Sequence, residues 1–338
     1  MMRKTTTTIS IAVLVSSLLA ACGGARAADT TKAGGANMSM TVGYTAVGAA
    51  YSDLYVCEDK GIFKKNGLDV KLTLLNSSSQ LLAALASNSV QVGAGVAKST
   101  AAGALKGVDL RYVALPIPNY YLEMWGKPTI TSPDAVKGMK VGLSSPGSLG
   151  DAAVDAFLAD KGWTNKDVQK VFLKSTPAEV TALEQGAVDV IVTQPPTGTK
   201  SRSKGFVKVM DFTKYKAAAN AYTVMGGYLK SDRPAVAAFI KSEVECLSIL
   251  HSNKAAAIAS IRKHSGSDNE ALAQYSYDFF NKLWVDVPTV DPALIQQAFN
   301  ESAAEKGGKA PADTSKYVDN TLITDLQKSG FIDSLKKS

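Results

Sequence analysis

Three stretches of this chain recur, in the same order, about one hundred residues further on. MTVGYT (residues 40–45) returns as MKVGLS (139–144) at an offset of 99. LDVKLTLLNSS (68–78) returns as KDVQKVFLKST (166–176), and AALASNSVQVGAG (83–95) returns as TALEQGAVDVIVT (181–193), both at an offset of 98. One such match carries nothing, but a near-constant offset over three implies two similar half-structures. Each half reads as strand, helix, strand, helix, strand, the pattern of parallel βαβ units.

In the first half the apolar run 40–44 is a strand, 52–59 a helix stopped at Lys60-Gly61, and 70–75 the second strand. In the second half, 139–143 leads to a helix over 148–161 ended by Gly162, then a strand at 168–173. The next helix is predicted to start with Thr176 as N-cap and Pro177 in the first turn, with Glu179 completing a capping box and Gly186 as the stop. Residues 111–127 and 222–230 read as the two crossovers between halves, and the helical remainder, with its long apolar stretch 235–261, packs back on the first half. The fold class is therefore α/β: a two-lobed clamshell, each lobe a mostly parallel sheet flanked by helices, with two crossover strands. The lobes are expected at 38–125 plus 226–338 and at 126–225.

The N-terminus reads as an export signal, residues 1–21, with a basic start and an apolar stretch at 9–21 too short to span a bilayer comfortably. Leu19-Ala20-Ala21-Cys22 resembles the lipobox of bacterial lipoproteins, which implies acylation of Cys22 and a membrane anchor; Ala25-Arg26-Ala27 offers an alternative, ordinary cleavage site. Residues 22–37 are rich in Gly, Ala and Thr and read as a flexible tether. Loss of Arg3 and Lys4 takes the formal charge from +7 to +5, a mild excess without a basic-aromatic motif, so no nucleic-acid partner is expected.

Beyond Cys22 the cysteines are Cys57 and Cys246. Each lies in a helical pattern among apolar neighbours, so two separately buried thiols are expected, with a disulfide left open. The two histidines, His251 and His264, read as surface residues, and no ligand cluster at metal spacing accompanies them. No cofactor fingerprint and no nucleophile elbow is present, so neither a cofactor nor a catalytic activity is expected.

Four phrases resemble a known family: CEDKGIFKKNGLDVKL (57–72), LASNSVQVGAG (85–95), SPDAVKGMKVGLSSPGS (132–148) and ALEQGAVDVIVTQPP (182–196). They are similar to type II periplasmic solute-binding proteins of ABC importers, in the group for nitrate, taurine, alkanesulfonates and thiamine precursors. The resemblance covers nearly all of residues 40–250. It implies a lipid-tethered monomer that captures a small molecule between its lobes and hands it to ABC permease subunits. A ligand-sensing lipoprotein, or a relative that binds or makes a thiamine pyrimidine, is the alternative.

In open α/β sheets, ligands bind outside the carboxyl ends of the strands, which here face each other across the cleft. The repeat identifies six such loops. After the first strands come Thr45, Ala46, Val47 and Gly48 in one half, and Ser144, Ser145, Pro146, Gly147 and Ser148 in the other. After the second strands come Ser77 and Ser78, matched by Ser175 and Thr176; after the third come Val96, Ala97 and Lys98, matched by Gln194 and Pro195. Hydroxyls and free N–H groups before helix starts suit an anion, so a sulfonate or carboxylate is the expected ligand. Ser145 or Ser148 acting only as a helix cap is the competing explanation. Lys98 is a candidate counter-ion, and Tyr44, Tyr120, Tyr121 and Trp125 are candidates for an apolar wall, although aromatics at this density are more often core. Gln91 and Asp189, at equivalent points of paired strands, read as structural.

Overall fold

The computed structural model describes residues 37–75, 77–266, 268–305 and 307–336. The expected signal segment and Cys22 lie outside the described residues. The first lobe begins with β1 (Met38–Tyr44), α1 (Ser52–Asp59), α2 (Ile62–Lys65), β2 (Leu68–Leu74), α3 (Ser78–Ala86), β3 (Val92–Gly95), α4 (Ala97–Ala104) and β4 (Leu110–Asn119). The chain then crosses to β5 (Glu123–Gly126), β6 (Lys140–Leu143), α5 (Leu149–Asp160), β7 (Gln169–Phe172), α6 (Thr176–Glu184), β8 (Val190–Thr193), α7 (Thr197–Lys200) and β9 (Val207–Asp211). It returns as β10 (Lys216–Met225), followed by α8 (Gly226–Ser231), α9 (Arg233–Ser252), α10 (Lys254–Ser265), α11 (Glu270–Phe280), α12 (Pro292–Ala304), α13 (Thr321–Lys328) and α14 (Phe331–Leu335).

Two five-stranded sheets result, ordered β2-β1-β3-β10-β4 and β7-β6-β8-β5-β9. The three strands of each repeat pair in parallel, while β10 joins β3 and β4, and β5 joins β8 and β9, antiparallel. β3 (VGAG) and β8 (VIVT) are buried at every position because helices cover both faces.

The repeat is reproduced in detail. Gln91 Oε1 accepts the Thr41 N–H at 2.8 Å, and Asp189 Oδ2 accepts the Lys140 N–H at 3.0 Å, so each residue stitches its third strand to its first. Ser77 caps α3 through Gln80 N–H, and Ser175 caps α6 through Ala178 N–H. The expected N-cap Thr176 is instead the first residue of α6, and Glu179 is buried rather than part of a capping box. Gly61, at φ 65°, turns the chain out of α1, and Phe63 enters the core, stacking on Phe239 with ring centroids 6.1 Å apart.

Other expectations are corrected. The return crossover is residues 212–215, not 222–230: residues 216–225 form β10, which closes the first sheet between β3 and β4. The outward crossover is residues 120–122, since Glu123 already pairs with Thr193 of β8. Cys57 and Cys246 form a disulfide that ties α1 to α9, because those helices pack face to face with Cα atoms 5.6 Å apart. The stretch 235–261 is two helices, broken at Asn253, which leaves helical geometry and caps α10 through Ala256 N–H. Among the described residues, no helix is long and apolar enough to cross a membrane.

Candidate functional site

The carboxyl ends of both parallel strand sets point toward the space between the sheets, and loops from the two lobes meet there. The Ser99 hydroxyl, in the first turn of α4, lies 3.5 Å from the carbonyl oxygen of Gly147, ahead of α5. Gly48, after β1, lies against the Gln194 carboxamide so closely that a Cβ on Gly48 would sit 2.7 Å from Nε2. These two contacts join loops of opposing lobes across the cleft, so this is a closed arrangement.

Four of the six expected loops are thus brought together. In the first, the Thr45 hydroxyl is 2.9 Å from the Tyr51 hydroxyl, Ala46 is half-buried and Val47 is exposed. In the α4 loop, Val96 is the N-cap and offers no side-chain cap, so the first-turn N–H groups, including those of the buried Ala97 and Lys98, keep their donor capacity at the cleft. In the α5 loop the Ser144 carbonyl accepts from Lys174 N–H at 2.7 Å and the Ser145 carbonyl from Ser148 N–H at 3.2 Å, fixing the turn. Gly147 there adopts φ 70°, which favours glycine. In the fourth, Gln194 is half-buried with its carboxamide oxygen unpartnered among the described residues, and Pro195 is buried, joined to Pro196 by a cis peptide bond. The second-strand loops stand apart: Ser77 is exposed and spends its oxygen on capping α3, and Ser78 is that helix's first residue.

Two side chains behave differently from expectation. Ser148 is a helix cap, with Oγ accepting the Asp151 N–H at 3.3 Å, while the Asp151 carboxylate returns to the Gly147 N–H at 2.9 Å. This reciprocal box places a carboxylate at the positive end of α5. The Ser-x-x-Asp spacing from 148 to 151 was visible in the sequence. Lys98 is 5% exposed and is ion-paired with Glu305, just past α12, so it is not a free counter-ion. Nothing in the sequence pairs residues so far apart.

Beside the α5 loop an open groove of about 620 Å³ is lined by Gly147, Asp151, Asp155, Lys170, Phe172 and Glu305. Lys170 bridges Asp151 and Asp155 at 2.6 and 2.5 Å; burial opposes its charge, but the two carboxylates outweigh that and hold its pKa above the ordinary lysine value. Oxygens of Asp151, Asp155 and Glu305 lie within 4.8 Å of one another, but the ammonium groups of Lys170 and Lys98 already fill the cation positions. Glu58, Asp59 and His264 also cluster, with Lys263 on Asp59 in the same role. Neither set suits a metal ion.

The residues at and after the first loop pack in an aromatic cluster. Tyr44 packs at 5.4 Å from Tyr51 and 5.8 Å from Tyr55, centroid to centroid. His264, expected at the surface, stacks on Tyr55 at 4.3 Å, and His251 bonds Asn281 at 2.9 Å. Burial pushes the phenols of Tyr51, Tyr55 and Tyr121 up, so they stay neutral. Tyr120, Tyr121 and Trp125 are core residues, each 5% exposed or less.

No curated protein matches this chain. Among solved structures, the periplasmic aliphatic sulphonate binding protein SsuA from Escherichia coli is similar at 18% identity and a TM-score of 0.72, over 85% of this chain and 99% of that one. The alkanesulfonate-binding protein SsuA from Xanthomonas axonopodis pv. citri, bound to MOPS, gives 16% and 0.69 over 85% and 99%. The periplasmic nitrate-binding protein NrtA from Synechocystis PCC 6803 gives 15% and 0.70 over 87% and 89%. These likenesses establish the two-lobed type II periplasmic binding fold. The family model described as NMT1/THI5 like matches residues 49–253, well over half of the chain, and the chain belongs to that family.

Proposed function

We propose that this protein is the solute-capturing subunit of an ABC importer, that it carries out no chemistry, and that its cargo is a small organic anion of the sulfonate or carboxylate type. The observation that carries this reading is the meeting of strand-end loops from both lobes, Ser99 with Gly147 and Gly48 with Gln194, around an uncapped α4 N-terminus. In this reading the acid group is received by the N–H groups of Ala97 and Lys98 and by the hydroxyls of Thr45, Ser99, Ser144 and Ser145, with Gln194 reaching across. Lys98, balanced by Glu305, sets the local potential without being the direct partner. The anion class is supported by the sulfonate and nitrate ligands named for proteins of the same fold. Binding rather than catalysis is supported by the imidazoles, which are engaged with Tyr55 and Asn281 and not with the serine loop.

Export, anchoring through acylated Cys22 and a monomeric state complete the reading. Delivery to the permease would use the cleft face. Leu74 and Phe172 end β2 and β7 there, in register with Tyr44 and Leu143, at positions related by the repeat. They are 41% and 40% exposed, two of the few large apolar side chains on the surface among the described residues.

The test is a thermal-shift screen against alkanesulfonates, aliphatic and aromatic carboxylates, nitrate and thiamine precursors. A solute present at 100 times its Kd adds about 2.7 kcal/mol and raises Tm by several degrees. A shift confined to one anion class identifies the cargo. A shift with neutral or cationic compounds alone rejects the anion reading, and none with any compound rejects small-anion capture.

A further inference from the structure

Beyond the family match, α11 carries a side chain, Tyr275, that reaches from the first lobe to partners on the second. Glu123 is the first residue of β5, directly after the outward crossover, and it is fully buried. Its carboxylate accepts from Trp125 Nε1 at 3.0 Å, lies 3.2 Å from Lys208 Nζ on β9, and receives a hydrogen bond from the Tyr275 hydroxyl. Trp125 and Lys208 are second-lobe residues, whereas Tyr275 stands on α11, which packs on α10 and on the turn 49–51 that follows the first cleft loop.

A second contact crosses at the same place. Arg202, just past α7, places its guanidinium carbon 5.6 Å from the Trp125 ring centroid and 5.7 Å from that of Tyr275. Gly198 lets α7 lie on the indole, since a Cβ there would come 2.2 Å from Trp125 Cδ1. The far end of α11 meets the crossover itself, with Phe280 and Tyr121 centroids 5.5 Å apart. Tyr275 therefore lies between a buried carboxylate at the hinge and a cation on the moving lobe. Each contact is a charge–dipole or cation–π interaction that depends on how the lobes are set.

We propose that Tyr275 is a closure clasp: its hydroxyl on Glu123 and its ring under Arg202 favour the closed arrangement over the open one. Rotation about residues 120–122 and 212–215 carries Arg202 off the ring and loosens the grip of α11 on Glu123. The clasp makes Tyr275 a positioning residue for capture, because apparent affinity scales with the fraction of molecules able to close. Its importance for capture rests on the proposed function; the clasp itself rests on the contacts above.

The experiment needs no solute. Spin labels on Ala159→Cys (α5) and Asn300→Cys (α12), both exposed, report the lobe separation by double electron–electron resonance. Tyr275→Phe removes the hydroxyl and keeps the ring, and is expected to lower the closed-to-open ratio roughly tenfold. Arg202→Ala, at an exposed position that leaves the core intact, is expected to shift the distribution the same way. Unchanged distance distributions in both variants overturn the clasp, whatever happens to Tm; a shift in Arg202→Ala alone removes the hydroxyl from the mechanism and overturns it as stated. A screen that finds no cargo would undo the capture reading and leave this measurement valid.

Discussion

At the scale of single residues the serine loop divides its labour. Ser148 is committed to capping α5, so Ser148→Ala is expected to cost about 1 kcal/mol of stability, read as a lower urea midpoint. Ser144 and Ser145 have only their carbonyls engaged in the turn. Ser144→Ala/Ser145→Ala is expected to leave the urea midpoint in place and weaken the affinity for the cargo class found by thermal shift at least tenfold; equal affinity would make this loop purely structural. Glu179 makes a separate case. It is 2% exposed with Oε2 unpartnered among the described residues, and burial pushes its carboxyl up to about 9. The unfolded chain releases this proton near the ordinary glutamate value of about 4.3, whereas the folded chain holds it to the higher value. Between these limits the folded state binds more protons, so stability falls as pH rises, by up to about 1.4 kcal/mol per pH unit from this one group. Urea titrations at pH 5 and pH 8 are expected to show that Glu179→Gln flattens this slope and is the more stable protein at pH 8. An identical slope in the variant would show that the carboxyl is already ionised when folded.

At the scale of elements, what could be read beforehand was what sequence-local physics determines. The repeat, the glycine after α1 and the structural reading of Gln91 and Asp189 rest on neighbours or on the repeat itself, while the cap of α6 fell one residue earlier than expected, on Ser175 instead of Thr176. What escaped depends on partners distant in sequence. β10 looks like a crossover because its apolar run and glycine pair carry no mark of the antiparallel slot between β3 and β4. The Lys98–Glu305 pair and the Tyr275–Glu123 contact join segments more than 150 residues apart, which no spacing rule reaches. The Cys57–Cys246 bridge is of the same kind, closing a loop with a sequence separation of 189. So long a loop puts its stabilisation at the upper end of the usual range, about 5 kcal/mol in the chain-entropy view. Cys57→Ser/Cys246→Ser is expected to melt about 5–10 °C lower, and dithiothreitol to lower the wild type to a similar value. Insensitivity to reductant would mean that the two thiols are merely neighbours in solution.

At the scale of the whole molecule, internal repetition gives this chain two similar rims around one cleft. Leu74 and Phe172 occupy equivalent ends of the outermost parallel strands, and both leave a large apolar side chain in water at a site where packing does not require it. A partner assembled from two similar halves would meet such a pair together, and only when the closed cleft sets their separation. Neither side chain is needed for the contacts that join the lobes at Ser99–Gly147 and Gly48–Gln194, so docking and capture are separable. Leu74→Asp/Phe172→Asp is therefore expected to bind cargo within about twofold of wild type while uptake by cells carrying the cognate permease falls at least tenfold, each single change giving a smaller loss. The comparison needs a binding measurement on the purified variants and radiolabelled uptake in a strain lacking the native gene. Normal uptake by the double variant would move the docking surface elsewhere, and a parallel loss of binding and uptake would assign these two side chains to the cleft instead.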